Sequence, residues 1–201
     1  MSFYEFARKV LTFSVPLYYK LEYRGLEKVP DGGFLLCCNH VSFLDPILLA
    51  IKIRPQLRFM AKIELFRIPV LRTIIKWLGA FPVARGSGDM TPINTSAEII
   101  NSGGSLLIFP EGTRSKTGGL LRARSGAALV AMKTGANVVP ASIRFEHKGR
   151  FRSKIFISFG DVIQNAELKL DPDNIRSLPA AAKYIMERIK TLWESSLPAL
   201  Q

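Results

Sequence analysis

The stretch GFLLCCNHVSFLDP, residues 33–46, joins an apolar run to a polar loop. The run Gly33–Cys38 is typical of a buried strand, because its apolar residues are almost continuous. The loop after it carries His40, one of two histidines in the chain, and Asp45 five positions later. Ligands bind open α/β sheets in the loops that follow strand C-termini. The stretch therefore predicts a buried strand whose end presents a histidine and a carboxylate.

Outward from this stretch, strand-like and helix-like runs alternate. Further strand-like runs are LRFMA at 57–61, Ala80–Val83, Ser105–Phe109, Val138–Phe145 and Lys154–Phe159. Helix-like runs are Pro46–Ile53, Pro69–Leu78, Asn94–Asn101, Ser125–Thr134 and Pro179–Leu197. This alternation predicts a single α/β domain with a central, largely parallel or mixed sheet flanked by helices.

Composition narrows the class of protein and its surroundings. With 201 residues, 48% of them hydrophobic, the chain can bury the core of one domain and is not a disordered chain. Cys37 and Cys38 are neighbours in a strand and point to opposite faces, so we expect two small buried side chains and no mutual disulfide. The absence of a disulfide framework fits an intracellular compartment.

Charge is concentrated in the middle of the chain. Residues 52–154 hold 18 of the 28 basic side chains and 5 of the 16 acidic ones, a surplus of 13. A basic face of this kind attracts nucleic acid, anionic lipid headgroups or an acidic protein. Charge alone does not choose among these partners.

The N-terminal segment, residues 1–24, is rich in Phe and Tyr at helical spacing. Its longest uncharged run, Val10–Tyr19, is about half of what a membrane span needs, and no signal-peptide cleavage site follows it. We expect an amphipathic helix, kinked or divided at Pro16, that lies in a membrane interface. The alternative is a helix packed on the core of its own domain.

His40 and Asp45 form a candidate proton-transfer pair. An imidazole can take a proton from a hydroxyl, and a carboxylate on its second ring nitrogen fixes the tautomer and stabilises the imidazolium. Ser42 lies between them without the nucleophile-elbow pattern, so the simplest scheme has His40 activating a hydroxyl of the substrate. Asp45 before Pro46 is also typical of a helix N-terminus, and the sequence leaves open whether Asp45 contacts His40 or only caps a helix.

Three other segments carry candidate binding residues. In LLIFPEGTRS, residues 106–115, an arginine in a glycine-containing loop can hold a phosphate; the alternative is an ordinary solvated loop. GAFPVAR, residues 79–85, ends in Arg85, and Lys62 follows the strand-like run at 57–61, where a solvated lysine is the alternative. In NVVPASIR, residues 137–144, Pro140 interrupts an apolar strand, which indicates an edge strand or a bulge.

The ordered set NHVSFLD, GAFPVAR, FPEGTRS and VVPASI closely resembles the four motif blocks of the glycerolipid acyltransferases. The chain is most similar to the bacterial 1-acyl-sn-glycerol-3-phosphate (lysophosphatidic acid) acyltransferases within them. The resemblance runs from about Leu21 to Ile143, and the first and third blocks are highly specific in combination. It implies that His40 is the general base and Asp45 its orienting partner. The positions it implicates in substrate binding are Lys62, Arg85, Glu111, Gly112, Thr113, Arg114 and Pro140.

The resemblance also implies which part of the substrate each of these positions contacts. Arg114 matches the arginine that grips the acceptor phosphate, and Lys62 and Arg85 match basic positions of the same pocket. Glu111 lies in the block linked to acceptor binding and to support of the reaction centre, while Pro140 matches a block that shapes the acyl-chain site.

By the same resemblance, the acyl donor is a thioester of coenzyme A or acyl carrier protein, and the acceptor is a lysophospholipid. No bound cofactor, metal or covalent acyl-enzyme is expected. Residues 1–24 would seat a catalytic domain, residues 25–201, on anionic phospholipid at the cytoplasmic face of the membrane as a peripheral or monotopic protein. Acyl carrier protein is an expected partner, and nucleic acid is not.

Departures from the family pattern keep two alternatives open. Ala84 stands where relatives often carry an acidic or amide residue, and Ala123 stands where a large aromatic is common. These changes bear on the acceptor and the acyl chain, so an enzyme of the same family acting on another lysolipid or an aminolipid is one alternative. The other is a non-enzymatic basic protein that binds nucleic acid or anionic membrane.

Overall fold

The computed structural model describes residues 3–54, 56–84 and 90–196. Its strands are β1 (Lys20–Arg24), β2 (Leu35–Cys38), β3 (Leu57–Lys62), β4 (Ala80–Val83), β5 (Ser105–Ile108), β6 (Val138–Phe145) and β7 (Lys154–Phe159). Its α-helices are α1 (Phe3–Tyr18), α2 (Asp45–Ala50), α3 (Pro69–Trp77), α4 (Thr91–Asn101), α5 (Gly126–Thr134) and α6 (Ser177–Ser195). Short 3-10 turns lie at Leu26–Lys28, Ile63–Arg67 and Asn165–Leu168.

The seven strands form one sheet in the order β1-β7-β6-β2-β5-β3-β4. Neighbouring strands are parallel except for β6 and β7, which are antiparallel. The predicted α/β domain with a largely parallel, mixed sheet is confirmed. Because β2, β5 and β3 are parallel neighbours, the loops that follow them meet at one edge of the sheet.

Side chains that alternate along the strands fill a core on each face of the sheet. Leu35 and Cys37 belong to the core that also contains residues of α5 and α6. Leu36 and Cys38 belong to the opposite core, with residues of α2. Both cysteines are free and buried on opposite faces, as expected, and burial raises the pKa of both thiols.

The N-terminal segment differs from its prediction. The helix ends at Tyr18, and Lys20–Arg24 forms β1, which pairs with β7. Charged and apolar residues alternate in KLEYR, residues 20–24, and this pattern is typical of a strand. Pro16 lies in the last turn and does not divide α1. Among the described residues, no helix is both long and apolar enough to cross a bilayer.

Pro140 lies inside the sheet, so the edge-strand alternative is wrong. Its strand, β6, has β2 on one side and β7 on the other. The Pro140 carbonyl accepts a hydrogen bond from the Gly160 backbone N–H at 2.8 Å, and the nitrogen of the same residue points the same way in a strand. The missing N–H therefore faces the end of β7, which stops at Phe159, and the pairing with β2 is undisturbed.

Candidate active site

The loop after β2 begins with a buried amide that ties it to β6. Asn39 is fully buried. Its side chain donates a hydrogen bond to the carbonyl of Ile143 at 2.9 Å and accepts one from the backbone N–H of Ile143 at 2.8 Å. Both hydrogen-bonding groups of the amide are thus used, and the residue before His40 is fixed to the neighbouring strand.

His40 and Asp45 are in direct contact. The Nδ1 atom of His40 lies 2.7 Å from Oδ2 of Asp45. The same carboxylate oxygen accepts hydrogen bonds from the backbone N–H groups of Val41 and Ser42, each at 2.7 Å. Asp45 is fully buried and makes no capping hydrogen bond within α2, so the reading in which it only caps the helix is wrong. Since a carboxylate at Nδ1 favours the tautomer protonated there, Nε2 is the nitrogen free to accept a proton.

The ring of His40 is also held by packing. Phe109, the residue after β5, stacks on it with ring centroids 3.9 Å apart and planes at 15°. The side chain of His40 is 12% exposed, so it meets solvent only at an edge. The hydrogen bond to Asp45 and this stack together restrict the position and tilt of the imidazole.

Glu111 connects the third motif block to the same loop. Its Oε1 accepts a hydrogen bond from the backbone N–H of His40 at 3.3 Å, and the backbone N–H of Ser115 donates to the carbonyl of His40 at 2.7 Å. Glu111 is 2% exposed, so this part of the block is no solvated loop. The pKa of Glu111 is raised to about 7, mainly by burial. Backbone hydrogen bonds from His40 and Leu121 lower the pKa, and the negative charge of Asp45 raises it.

Arg114 lies beside the loop that carries His40. Its guanidinium carbon is 3.4 Å from the centroid of the Phe43 ring, and both Arg114 and Thr113 are exposed. Gly112 has φ +69, and a Cβ there would lie 2.8 Å from Cδ of Arg124. A larger residue at this position would strain the backbone and would have to displace the Arg124 side chain.

A largely apolar cavity of about 280 Å³ lies at the same edge of the sheet. Its wall contains Phe109, which also stacks on His40, as well as Pro110 and Gly112. Apolar side chains from the ends of β3, β4 and β5 and from the start of α4 complete much of the wall, and Arg124 adds a cation. Phe109 thus connects the cavity to the His40 ring, and His40 itself is not among the described residues that line the cavity.

Two predicted binding residues stand apart from this arrangement, and the position of a third is not described. Lys62 is exposed and forms an ion pair with Glu64 at 3.0 Å. Pro140 is buried in the sheet next to Gly160 and Leu192 of α6, and it is not among the described residues that line the cavity. Arg85 lies outside the described residues.

Sequence reasoning missed the roles of Asn39, Phe43 and Phe109, although each lies within a motif block. The proximity of Asn39 and Phe43 to His40 was the available signal, whereas only the sheet order brings Phe109 to the imidazole. Among the described residues, no three His, Cys, Asp or Glu side chains cluster closely enough to hold a metal ion.

Comparison with known proteins shows to which family the chain is similar. The acyltransferase family model matches residues 20–144. A 1-acyl-sn-glycerol-3-phosphate acyltransferase of Bacillus subtilis is 30% identical over 194 residues, covering 94% of this chain and 96% of the relative. The crystal structure of the 1-acyl-sn-glycerophosphate acyltransferase of Thermotoga maritima matches with a TM-score of 0.71 and 26% identity, over 98% of this chain and 80% of that one.

A plant relative is longer than this chain. A chloroplast 1-acyl-sn-glycerol-3-phosphate acyltransferase of Arabidopsis thaliana is 34% identical over 146 residues, which are 70% of this chain and 41% of the relative. The chain therefore spans about two fifths of the length of this relative.

Proposed function

Since this chain belongs to the acyltransferase family, we propose that it transfers a fatty acyl group from a thioester to the sn-2 hydroxyl of 1-acyl-sn-glycerol 3-phosphate, giving phosphatidic acid. The observation that carries the proposal is the 2.7 Å contact between His40 Nδ1 and Asp45 Oδ2, on a ring that stacks against a wall of an apolar cavity. Both bacterial relatives described above are named for this reaction.

The proposed chemistry has one base and no covalent enzyme intermediate. The hydroxyl oxygen of the acceptor attacks the thioester carbonyl carbon while Nε2 of His40 takes the hydroxyl proton. Asp45 stabilises the imidazolium that results. When the tetrahedral intermediate collapses, the carbon–sulfur bond breaks, and the leaving thiolate takes the proton from His40. The products are the ester and a free thiol, either coenzyme A or acyl carrier protein.

The acceptor and the acyl chain are assigned to different parts of the site. Arg114 is an exposed cation stacked on Phe43, three residues after His40, and we assign it to the acceptor phosphate. The apolar cavity beside Phe109 is assigned to the acyl chain. Lys62 and Arg85 remain proposed members of the phosphate pocket, Glu111 is assigned the support of the His40 loop, and Gly112 and Thr113 are assigned to acceptor binding.

We assign the reaction to a membrane surface, because the acceptor is a lysolipid. Exposed aromatic and aliphatic side chains of α1 support this assignment: Phe6, Val10, Phe13 and Leu17. Residues 1–24 are thus proposed to seat the enzyme on anionic phospholipid at the cytoplasmic face of the membrane.

The test is release of free thiol from acyl-coenzyme A or acyl carrier protein, with 1-acyl-sn-glycerol 3-phosphate and other lysolipids as acceptors. The variant is His40→Ala. The matched control is His147→Ala, because His147 is the second histidine and is exposed in the hairpin between β6 and β7. We expect His40→Ala to lower the rate by about 10²- to 10⁴-fold and His147→Ala to retain it.

The acceptor panel separates the proposal from its alternatives. Thiol release that requires 1-acyl-sn-glycerol 3-phosphate supports the full assignment, and release that requires a different lysolipid keeps the mechanism but changes the substrate. If folded protein on vesicles released no thiol with any donor and acceptor, the proposed reaction would be wrong.

A further inference from the structure

Helix α3 turns its apolar side away from the protein. None of its nine residues is buried. Val70, Ile74 and Trp77 are 72%, 38% and 53% exposed, and their spacing places them on one side of the helix. An amphipathic helix of a globular domain normally packs this side on the core. Here the core does not cover it.

The apolar side of α1 adjoins that of α3. Phe6, Val10 and Phe13 of α1 are 53%, 48% and 74% exposed. At the start of α1, the ring of Phe3 lies 4.5 Å, centroid to centroid, from the ring of Trp77 at the end of α3. The exposed apolar side chains of the two helices therefore meet at one place on the molecule.

The charges around α3 identify the partner. Residues 54–77 contain six basic side chains and one acidic side chain. The acidic one, Glu64, is already paired with Lys62 at 3.0 Å, while Arg72 and Lys76 of α3 are exposed. Apolar side chains framed by cations fit the interface of an anionic bilayer. A second copy of the chain would instead bring the same cations face to face.

We propose that α3 inserts its apolar side into an anionic lipid surface together with α1. Contact through α1 alone would leave the protein free to rotate about the axis of that helix. A second line of contact along α3 removes this freedom and fixes the orientation of the edge that carries His40. The proposal rests on the proposed action at a membrane and assigns the contact to a second element beyond residues 1–24.

The first test uses the fluorescence of Trp77. The chain has two tryptophans, so the protein carries Trp193→Phe, which retains an aromatic ring beside Arg144. The probes are phosphatidylglycerol–phosphatidylcholine vesicles with or without brominated acyl chains. We expect a blue shift of Trp77 emission on binding and quenching by the brominated chains. Bound protein whose Trp77 emission is neither shifted nor quenched would overturn the proposal.

The second test is a matched pair of surface variants in vesicle co-sedimentation. Val70→Ser with Ile74→Ser removes apolar side chains from α3, and we expect vesicle affinity to fall by about tenfold or more. Ile175→Ser is the control, because Ile175 is 71% exposed in the segment leading into α6, and we expect no change. Thermal melting checks that both variants fold.

The remaining outcomes also decide the question. Wild-type affinity in the α3 variant would overturn the proposal and leave α1 as the membrane contact. A concentration-dependent dimer that the α3 variant abolishes, with vesicle binding unchanged, would overturn it in favour of a protein interface. Binding is measured without an acyl donor, so a failure of the proposed acyltransferase reaction in the thiol-release assay is recorded separately.

Discussion

At the scale of single residues, Asp45 is the most constrained member of the site. One of its oxygens accepts hydrogen bonds from two backbone N–H groups and contacts Nδ1 of His40. Replacement by Asn removes the negative charge that stabilises the imidazolium. We expect Asp45→Asn to lower kcat by roughly 10²- to 10⁴-fold. The assay is thiol release, with Ser42→Ala as the control.

Ser42 is a sharp control because it lies between the two residues and carries a hydroxyl. Its Oγ accepts a hydrogen bond from the Leu44 backbone N–H at 3.2 Å. This hydrogen bond lies within the loop. Retained activity in Ser42→Ala is expected if the substrate hydroxyl is the nucleophile. Loss of activity in Ser42→Ala, with normal folding, would contradict a mechanism without an acyl-enzyme.

Glu111 predicts a dependence of stability on pH. In the unfolded chain its carboxyl loses its proton near the ordinary pKa of 4.5, whereas in the folded protein it keeps the proton up to about pH 7. The folded state therefore binds more protons between these values, and the free energy of unfolding falls as pH rises through this window. The difference corresponds to about 3 kcal/mol.

The variant Glu111→Gln removes this titration and keeps an oxygen that can accept from the backbone N–H of His40. We expect its free energy of unfolding, relative to wild type, to rise between pH 4.5 and 7. Urea unfolding at several pH values measures this difference. Parallel curves for the two proteins would show that the buried carboxyl does not titrate in this window.

Phe43 is predicted to position Arg114. The guanidinium lies 3.4 Å from the ring centroid, and such contacts at exposed sites are worth about 0.5–1 kcal/mol. We expect Phe43→Leu to raise KM for the lysolipid about two- to fivefold with little change in kcat. Phe43→Tyr keeps the aromatic ring, and we expect it to have the KM of the wild type. Phe151→Leu is the control, because Phe151 is also exposed but contacts Tyr18. A change in kcat alone would contradict the positioning role.

At the scale of elements, the boundary between α1 and β1 separates membrane contact from folding. Residues 3–17 include several exposed apolar side chains, whereas Tyr19 is buried and Lys20–Arg24 pairs with β7. We expect deletion of residues 1–17 to weaken vesicle binding while the domain still melts cooperatively. Deletion of residues 1–24 removes the edge strand as well and is expected to cost roughly 3 kcal/mol or more of stability.

Thermal melting and vesicle co-sedimentation of the two truncated proteins measure these effects. At this chain length, each kcal/mol shifts the melting temperature by about 2–4 °C. Equal melting temperatures for the two deletions would show that β1 contributes nothing to stability. Unchanged vesicle binding after the shorter deletion would place the membrane contact elsewhere.

At the scale of the whole molecule, the basic surplus of residues 52–154 falls on more than one element. Part of it surrounds α3, and part lies in the hairpin between β6 and β7, where Lys148 donates a hydrogen bond to the carbonyl of Val41 beside His40. Tyr18 at the end of α1 donates a hydrogen bond to Gly149 in the same hairpin. Basic side chains thus lie near both the candidate site and α1.

Salt is therefore expected to weaken binding to anionic vesicles. At about 1 M salt the Debye length is about 3 Å, so exposed charges are screened. We expect lower co-sedimentation with phosphatidylglycerol vesicles and a lower rate with acyl carrier protein as donor. Binding to phosphatidylcholine vesicles is the control and is expected to change little. If salt affected neither anionic vesicle binding nor the carrier-dependent rate, the basic surplus would have no role with these partners.

Local sequence patterns predicted most of the elements and the position of His40 at the end of a strand. Periodicity and turn residues act locally, so the strands from β2 to β7 and most helices were predictable. His40 and Asp45 were a candidate pair, but the sequence left their contact open. β1 was missed, although KLEYR alternates, because the aromatic pattern before it was extended through residue 24. The placement of Arg114 next to the His40 loop was expected only through the family resemblance.

The candidate site is held together by contacts between residues that are far apart in the chain. The Asn39 side chain donates a hydrogen bond to the carbonyl of Ile143, 104 positions away in the chain. Glu111 accepts a hydrogen bond from the backbone N–H of His40, 71 positions away. Phe109 stacks on the imidazole because β5 adjoins β2 in the sheet. Phe3 and Trp77 likewise meet only after α1 and α3 pack. Such contacts depend on strand order and helix packing, which involve residues far apart in the chain, and local sequence patterns carry no record of them.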